Sequence, residues 1–406
     1  MRIAEPYRNE DNNFITLPAL KTICNNLNLK TNCNRLGLIE EIEGYANRNP
    51  QNKVLVLQQL DKVLREGIKT CVITKIDPVK FTEFEEISSI LLRTVGENPE
   101  QYLCDYAPST ELGLVKYELK ANENNHVQSI EFTFCMELLR RTSNFSSTGV
   151  QLFYPVHVTV DIDNGFVIGR AKTTSALFYK INEFEIIPNQ STTTEKIIDI
   201  AIGKVIDAIQ AKRYSPVLCK MAFQKTIFNI LETFTTTPAV IREMVKRRES
   251  DYKKFVNDIF IKMELGGKID LYEEAMSDIA IFIEKLASVS YPNKKIFIMD
   301  REAYPIKFTT LDSEFTKIQE STASVEEPLQ GKKAFFDSKK VLLEDRKCDK
   351  LTLCYSSEPV LYYGKEPFIV SFLMYKSNLE MKFNRFMRED EIQNVLSRII
   401  QMYNVQ

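Results

Sequence analysis

Two acidic residues and one lysine have the types and spacing that could support hydrolysis of a phosphodiester. Asp105 precedes the tripeptide Glu118-Leu119-Lys120, so two carboxylates and one ammonium could meet if both segments lie on adjacent strands. Carboxylates suit a magnesium ion, and the lysine would steady the attacking water. Such a site needs neither histidine nor cysteine.

The pattern of Asp105, Glu118 and Lys120 resembles that of the PD-(D/E)xK nucleases, in which the acids hold the metal. The resemblance implies a magnesium-dependent nuclease, and magnesium is expected as a cofactor only in that case. The same tripeptide form recurs at residues 380–382, because a chain rich in lysine and glutamate produces it by chance. Amphipathic strand residues that face water are therefore the favoured interpretation.

Other catalytic classes lack the residues that they need. The chain has 13 glycines but no G-x-G-x-x-G run, and none of its four Gly-Lys pairs precedes the Ser or Thr of a phosphate-binding loop. Its two histidines, His126 and His157, cannot build a histidine-rich metal centre, and its eight cysteines include no C-x-x-C pair. The sequence therefore favours a non-catalytic chain without a cofactor or metal ligands.

A β-hairpin is predicted at Tyr154–Thr173, with Asn164-Gly165 as a two-residue turn. The register that follows gives three cross-strand pairs: His157 with Lys172, Thr159 with Arg170, and Asp161 with Ile168. Arg170 and Lys172 would then form a cationic pair on the outer face, suited to phosphate or nucleic acid. The alternative is a solvated sheet face with one ion pair between an aspartate and an arginine.

The segment Pro238–Met263 is predicted to be one amphipathic helix, the most basic of the chain. It carries seven basic and four acidic residues, a net charge of +3. The predicted buried side is an apolar stripe of Ile241, Val245, Tyr252, Phe255, Ile259 and Met263. Arg242, Lys246, Glu249 and Lys253 line another side of this helix. That side either contacts a phosphate backbone or is a charged face that keeps the helix soluble.

Apolar residues near the N-terminus predict short helices around a small core. The face of the first helix is formed by Leu17, Leu20, Ile23, Cys24 and Leu27. Asn28 ends this helix, because asparagine tolerates left-handed backbone, and Thr31 or Asn32 can cap the next helix. The stripe of the second helix is Leu36, Ile39, Ile42 and Tyr45, and a third helix carries Val54, Leu57, Leu60 and Leu64.

Residues 17–47, and the run Asn28–Ile42 in particular, resemble the SAP-type helix-extended-helix module without a gap. That module has a first helix, a turn of the form G-L-P-T-S-G-K-K, and a second helix with L-V-x-R-L. The resemblance implies weak binding of duplex DNA at the N-terminus of the second helix. The residues expected to contact DNA are Lys30, Thr31, Asn34 and Arg35.

Departures from the SAP-type pattern weaken the expected affinity. Cys33 stands where the module has glycine, and Glu41 stands where it has arginine. Residues 15–50 carry a net charge of only +1, and affinity for phosphates scales with the charges neutralised. The alternative is a helical hairpin that packs on a partner protein or on the rest of the chain.

Length and composition indicate a multidomain α+β protein. The chain has 406 residues, of which 44% are apolar and 27% charged, and its net charge of −2 excludes a globally basic nucleic-acid coat. Alternating patterns predict strands over residues 112–190 and 294–382, with helical periodicity between and after them. This order favours an N-terminal helical module, a mixed or antiparallel sheet body with an inserted helical block, and a C-terminal helix.

Four segments follow from these patterns. They are a SAP-like helical module at 1–66, a strand-rich α+β domain at 67–190, a helical block at 191–290, and a strand-rich region with a closing helix at 291–406. Residues 312–333 are predicted to be a polar linker. No apolar run approaches the roughly 18 residues of a membrane span, and the scattered cysteines indicate reduced thiols in a cytoplasmic protein.

The function favoured by the sequence is that of a DNA-binding, non-catalytic subunit that binds or recruits. The SAP-type resemblance implies a context of DNA maintenance or bacterial genome defence. Expected partners are duplex DNA, bound weakly, and either a partner protein or a second copy of the chain, with no membrane. A metal-dependent nuclease and a protein-binding structural subunit are the alternatives.

Overall fold

The computed structural model describes residues 1–142, 147–181, 184–299, 301–311, 316–325, 327–355 and 367–404. The protein has an α+β fold, and its described strand pairs are antiparallel. It divides into two compact units. Among the described residues, the first unit holds 1–219 and 375–397, and the second holds 220–355, 367–374 and 398–404.

Twelve helices and twelve strands occur within the described residues. The helices are α1 (Glu5–Arg8), α2 (Leu17–Asn26), α3 (Arg35–Ala46), α4 (Pro50–Arg65), α5 (Phe84–Val95), α6 (Thr194–Ala208), α7 (Pro216–Phe234), α8 (Ala239–Lys246), α9 (Glu249–Lys262), α10 (Ile269–Ser290), α11 (Lys333–Asp345) and α12 (Glu389–Asn404). The strands are β1 (Lys69–Lys75), β2 (Gly113–Ala121), β3 (Val127–Arg140), β4 (Val150–Asp161), β5 (Phe166–Lys172), β6 (Leu177–Tyr179), β7 (Ser191–Thr192), β8 (Ala303–Leu311), β9 (Lys317–Ser321), β10 (Lys350–Tyr355), β11 (Phe368–Tyr375) and β12 (Asn378–Phe383).

The sheet of the first unit has the strand order β7-β6-β3-β4-β5-β1-β12, and β2 also pairs with β3. Helix α6 packs on the face that carries Gly169, where an added Cβ would lie 2.4 Å from Cγ2 of Ile198. The N-terminal helices pack on the opposite face of the sheet. Alternate strand residues point to opposite sides, and Cys135 is on the side away from α6. The hydroxyl of Tyr7 in α1 lies 3.7 Å from Sγ of Cys135.

The predicted boundaries at residues 66 and 190 are not boundaries of the compact units. Helices α2, α3 and α4 share one continuous hydrophobic core with β3, β4 and α6. The apolar stripes of these helices therefore pack against the sheet as well as against one another. Residues 1–66 are an integral layer of the first unit.

The N-terminal helices begin and end close to where the sequence predicts. Asn28 adopts left-handed backbone with φ of 54° after α2. The predicted cap of α3 is wrong, because Asn34 caps it and accepts a hydrogen bond from the backbone N–H of Gly37 at 2.9 Å. Gly37 also permits a close approach of the turn, since an added Cβ would lie 2.9 Å from Cβ of Cys33.

The hairpin of β4 and β5 exists, but its predicted register is wrong by two residues. The structure pairs His157 with Arg170, Thr159 with Ile168, and Asp161 with Phe166. The turn has four residues rather than two, because the carboxylate of Asp161 accepts hydrogen bonds from the backbone and side-chain N–H groups of Asn164. A shift of two residues preserves the faces, so the predicted apolar face stays buried.

The second unit contains the strand order β11-β10-β8-β9 and helices α8 to α11. The single basic helix predicted over residues 238–263 is two helices, since α8 ends at Lys246 and α9 begins at Glu249. Helix α11 lies in a region predicted to form strands. The predicted linker at 312–333 holds β9, while its residues 312–315 and 326 lie outside the described residues.

None of the helices in the described segments combines the length and apolar content needed to cross a bilayer.

We predict that Gly169→Ala destabilises the first unit, because the new methyl group overlaps Ile198 and Ile202 of α6. Urea unfolding should show a loss of about 1–3 kcal/mol, the usual cost of overpacking. Gly203→Ala is the matched control, because it lies on α6 with no atom within 4 Å of an added Cβ. The control should gain roughly 0.5–1 kcal/mol of helix propensity. A neutral Gly169→Ala variant would contradict this packing.

Candidate functional site

The residues of the predicted magnesium site each have a separate ion-pair partner. Asp105 lies in a loop rather than on a strand next to Glu118. The partners are Lys53 for Asp105, Lys116 for Glu118, and Glu131 for Lys120. Within the described ranges, no group of three His, Cys, Asp or Glu side chains is arranged to hold a metal ion. The described geometry therefore gives the nuclease alternative no support.

The predicted DNA-contacting residues of the N-terminal helices have different surroundings. Lys30 is exposed in the turn before α3, and Thr31 is partly exposed beside it. The side chain of Asn34 is exposed, although its oxygen is used to cap α3. This turn therefore presents one cation and two polar side chains to solvent.

Arg35 is engaged in holding the N-terminal segment. Its guanidinium donates hydrogen bonds to the backbone carbonyls of Arg8 at 3.0 Å, Ile15 at 2.7 Å and Tyr7 at 3.4 Å. Burial lowers the pKa of Arg35, against the opposing effect of Glu10. These bonds occupy all three guanidinium nitrogens and give Arg35 a structural role.

The sheet face of Arg170 and Lys172 is covered, so the solvent exposure predicted for this face is wrong. Arg170 is only 3% exposed, and its Nη1 lies 2.7 Å from both carboxylate oxygens of Glu389. Burial would raise the pKa of Glu389, but Arg170 and other donors lower it overall. The sequence misses this because the residues that cover the face come from distant segments.

Arg170 belongs to a row of polar side chains that crosses this face. Consecutive members are cross-strand neighbours: Thr133, His157, Arg170 and Cys71. Nδ1 of His157 lies 3.4 Å from the hydroxyl of Thr133, and Nε2 has no hydrogen-bond partner. Burial holds the pKa of His157 well below its usual range, and nearby cations add to the shift. His157 is therefore neutral at physiological pH.

A cavity of about 310 Å³ lies at one end of this face. Lys69 on β1 is directly opposite Lys172 on β5, and both line the cavity. We call it the two-lysine cavity, and its walls include Phe14, Glu66, Lys69, Lys172, Arg385 and Phe386. The ammonium of Lys69 donates to the carbonyl of Leu64 at 2.8 Å, and that of Lys172 donates to the carbonyl of Asn12.

Burial shifts three ionisable groups of the two-lysine cavity toward neutrality. It lowers the pKa of Lys69 to about 7, and Arg170 adds to the shift. It also lowers the pKa of Lys172 to about 7, with Lys69 as the next contributor. The carboxyl of Glu66 is 3% exposed with no well-formed hydrogen bond on either oxygen, and burial raises its pKa to about 7 against the attraction of Lys62 and the nearby backbone N–H of Glu389. Each group is therefore close to half-protonated at neutral pH.

A second cleft, of about 280 Å³, lies beside α4. Its charged lining residues are Asp61, Lys62, Arg65, Lys116, Glu118 and Glu389. Lys116 lies 3.1 Å from Asp61 and 3.1 Å from Glu118, while Arg65 lies 2.6 Å from Glu131. These charges neutralise one another, so the cleft selects neither anions nor cations strongly.

The basic residues of α8 and α9 in the second unit are exposed. We define the basic helix surface as Arg242, Lys246, Lys253 and Lys254. None of the four forms an ion pair with a described acidic residue, whereas the intervening Arg247 and Arg248 pair with Glu243 and Asp251. These four cations therefore remain available to an anionic partner.

Large apolar side chains are exposed on the same helices and on α10. We define the apolar helix surface as Phe255, Ile261, Met263, Ile269, Phe282 and Leu286, which are 54% to 76% exposed. The burial predicted for Phe255 and Met263 is therefore wrong, because the buried stripe of α9 is reduced to Val256. A helix with so little buried surface contributes few core contacts of its own.

Comparison with known proteins gives no family for this chain. No protein-family model matches it, and neither a curated protein nor a solved structure matches it. Inference about function therefore rests on the side chains described above.

The sequence contains little that could have identified the two-lysine cavity. Lys69 begins an apolar strand, where a lysine is ordinarily expected at a solvated end. Glu66 precedes Gly67 in what resembles a polar turn. Both positions are recognisable only when the N-terminal helices are known to cover this end of the sheet.

We predict that Lys172→Met weakens the dependence of stability on pH. The pKa of Lys172 is about 7 in the folded state and 10.5 when unperturbed, so between these values the unfolded chain binds more protons. The free energy of unfolding then rises with pH by roughly 1.4 kcal/mol per unit for each such lysine, and this contribution is absent below pH of about 7. Urea unfolding at about pH 7.5 and 9.5 measures the slope.

Lys204→Met is the control for this measurement, because Lys204 is exposed on α6 and solvated in both states. It should leave the slope unchanged. A slope that is the same in Lys172→Met and in the unmodified protein would refute the burial of this charge.

Proposed function

We propose that this chain is a cytoplasmic protein that binds duplex DNA weakly and without strong sequence preference, as a non-catalytic binding or recruiting subunit. The observation that carries the proposal is the basic helix surface, four exposed cations on two consecutive helices that form no ion pair with a described acidic residue. Binding to a phosphate backbone is driven by cations that displace condensed counterions. Cations already paired with carboxylates contribute far less.

The spacing of these cations suits a repeating charge. Arg242 and Lys246 are four residues apart on α8, which places them on the same side, about one helical turn apart. Duplex DNA carries one phosphate charge per roughly 1.7 Å of its axis, so a short helix can neutralise several phosphates. Contacts of this kind position a protein on DNA without recognising sequence.

The resemblance of residues 17–47 to SAP-type modules supplies the biological context of the proposal. Lys30, Thr31 and Asn34 lie in the turn before α3, where such modules approach DNA. The resemblance supports a role in DNA maintenance or bacterial genome defence. The low net charge of this segment supports weak, salt-sensitive binding.

We predict that Arg242→Ala, Lys246→Ala and Lys253→Ala, combined in one variant, weaken binding to a labelled DNA duplex. Fluorescence anisotropy over a series of salt concentrations should show the slope of log affinity against log salt reduced by about three units, one per lost phosphate contact. The matched control is Lys196→Ala combined with Lys204→Ala, two exposed lysines of α6. Equal affinity and slope in all three proteins would overturn the proposal. Labelled single-stranded DNA and RNA test the preference for duplex DNA.

A second candidate function, self-association through the apolar helix surface, has its own supporting observation. Six large apolar side chains of α9 and α10 and their flanking loops are more than half exposed. Residues 239–262 have a net charge of +3, whereas α10 has five acidic residues and one lysine, a net charge of −4. Glu274, Asp278 and Glu284 pair with Lys339 and Lys340 of α11, so Asp270 and Glu273 are the acids of α10 that form no ion pair with a described residue. An isologous contact between two copies would place each basic segment against the acidic helix of the other copy. We therefore assign a second copy of this chain as the occupant.

We predict that Phe282→Lys makes the protein monomeric and still folded, because within a single chain this side chain is solvent-exposed. Light scattering coupled to size-exclusion chromatography, over a range of protein concentrations, measures the mass. Leu92→Lys, at an exposed leucine of α5, is the control and should remain dimeric. A monomeric unmodified protein at the highest concentration would exclude self-association.

A further inference from the structure

We propose that the two-lysine cavity binds a small phosphorylated molecule of mononucleotide size, with its phosphate between Lys69 and Lys172 and a flat apolar part against Phe14 and Phe386. This site is separate from the basic helix surface. Its ligand class follows from the charges, the free hydrogen-bonding groups and the shape of the cavity.

The cavity places two half-protonated amines opposite each other, and a bound dianion would draw both to the charged form. Lys69 and Lys172 are direct cross-strand partners, and like charges in that arrangement repel each other. Each ammonium has one carbonyl acceptor, Leu64 or Asn12, so N–H groups remain on both. A phosphate monoester carries a charge of about −1.5 to −2 at pH 7 and three acceptor oxygens, which matches two ammonium groups better than a single carboxylate does.

Glu66 supplies a second indication of a ligand. Its carboxyl group is buried, lines the cavity, and receives no well-formed hydrogen bond on either oxygen, although the backbone N–H of Glu389 lies close enough to lower its pKa. Native proteins rarely leave such groups unsatisfied. In its neutral form the carboxyl can donate its proton to a phosphoryl oxygen, and burial favours that form because the pKa of Glu66 is about 7.

Two phenylalanine rings in the cavity wall indicate that the rest of the ligand is planar and apolar. The Phe14 ring centroid lies 4.6 Å from Nζ of Lys172, so one wall combines an apolar surface with a cation. Phe386 lines the same cavity. The volume of about 310 Å³ is at the lower end of the roughly 300–1,000 Å³ typical of ligand sites. A planar base or aromatic ring attached to a phosphate has suitable chemistry and size.

Calorimetric titration of the full chain at pH 7 with adenosine 5′-monophosphate, adenosine, ribose 5-phosphate and inorganic phosphate tests the proposal. The nucleotide should bind at least ten-fold more tightly than each of the other three, since they lack either the phosphate or the base. Two buffers of different ionisation enthalpy should reveal uptake of roughly 1.5 protons, because the phosphate draws both half-protonated lysines to their charged form and the half-ionised Glu66 to its neutral form. No nucleotide binding at millimolar concentration would overturn the proposal, and so would equal affinity for inorganic phosphate.

Variants separate this site from general effects on folding. Lys172→Met should lower nucleotide affinity at least ten-fold, while the exposed control Lys204→Met should leave it unchanged. Glu66→Gln should retain binding, because the amide also donates a hydrogen bond to phosphate. Unaltered affinity in a folded Lys172→Met variant would exclude the cavity as the binding site. The triple alanine variant of the basic helix surface should bind the nucleotide normally, which makes failure of this proposal distinguishable from failure of DNA binding.

Discussion

The first unit depends on one ion pair whose cation, Arg170, is buried. Arg170 on β5 and Glu389 in the first turn of α12 are 219 residues apart in sequence, yet their charged groups lie 2.7 Å apart. The face around Arg170 can be covered only because this permanent charge is neutralised. Removal of Glu389 would leave the buried charge of Arg170 unpaired, which typically costs about 3–5 kcal/mol. The same exclusion of water lowers the pKa of both His157 and Lys69, so His157 is neutral and Lys69 is weakly basic.

Periodicity predicted the helical and strand character of most elements, because it depends on local spacing. The N-terminal helices and the β4–β5 hairpin lie close to their predicted positions, and a C-terminal helix is present as predicted. The errors occur where one side chain changes the backbone locally. Asp161 lengthens the hairpin turn, Asn34 replaces the expected cap, and the helix over residues 238–263 is interrupted between Lys246 and Glu249. Alternative turns, caps and helix ends differ little in free energy, and the spacing of apolar residues does not determine which of them forms.

The burial of polar residues could not be predicted from the sequence for a different reason. A period of two identifies the residues of one sheet face, and it placed Arg170 and Lys172 together correctly. It does not reveal whether a polar face is later covered by another layer. For the same reason Lys69 and Glu66 resemble surface residues in the sequence, whereas the exposed cations of α8 and α9 were recognisable because their number exceeds that of nearby acids.

Arg35 has a consequence for motion at the chain terminus. Terminal segments normally fray first, because few contacts hold them. Here one guanidinium donates to carbonyls at Tyr7, Arg8 and Ile15, so both ends of the segment between them are attached to the start of α3. If residues 7–15 separated from α3, the partly buried guanidinium of Arg35 would lose its three carbonyl acceptors. The amide hydrogens of the first 16 residues should therefore exchange with solvent in the same cooperative opening event as those of α3.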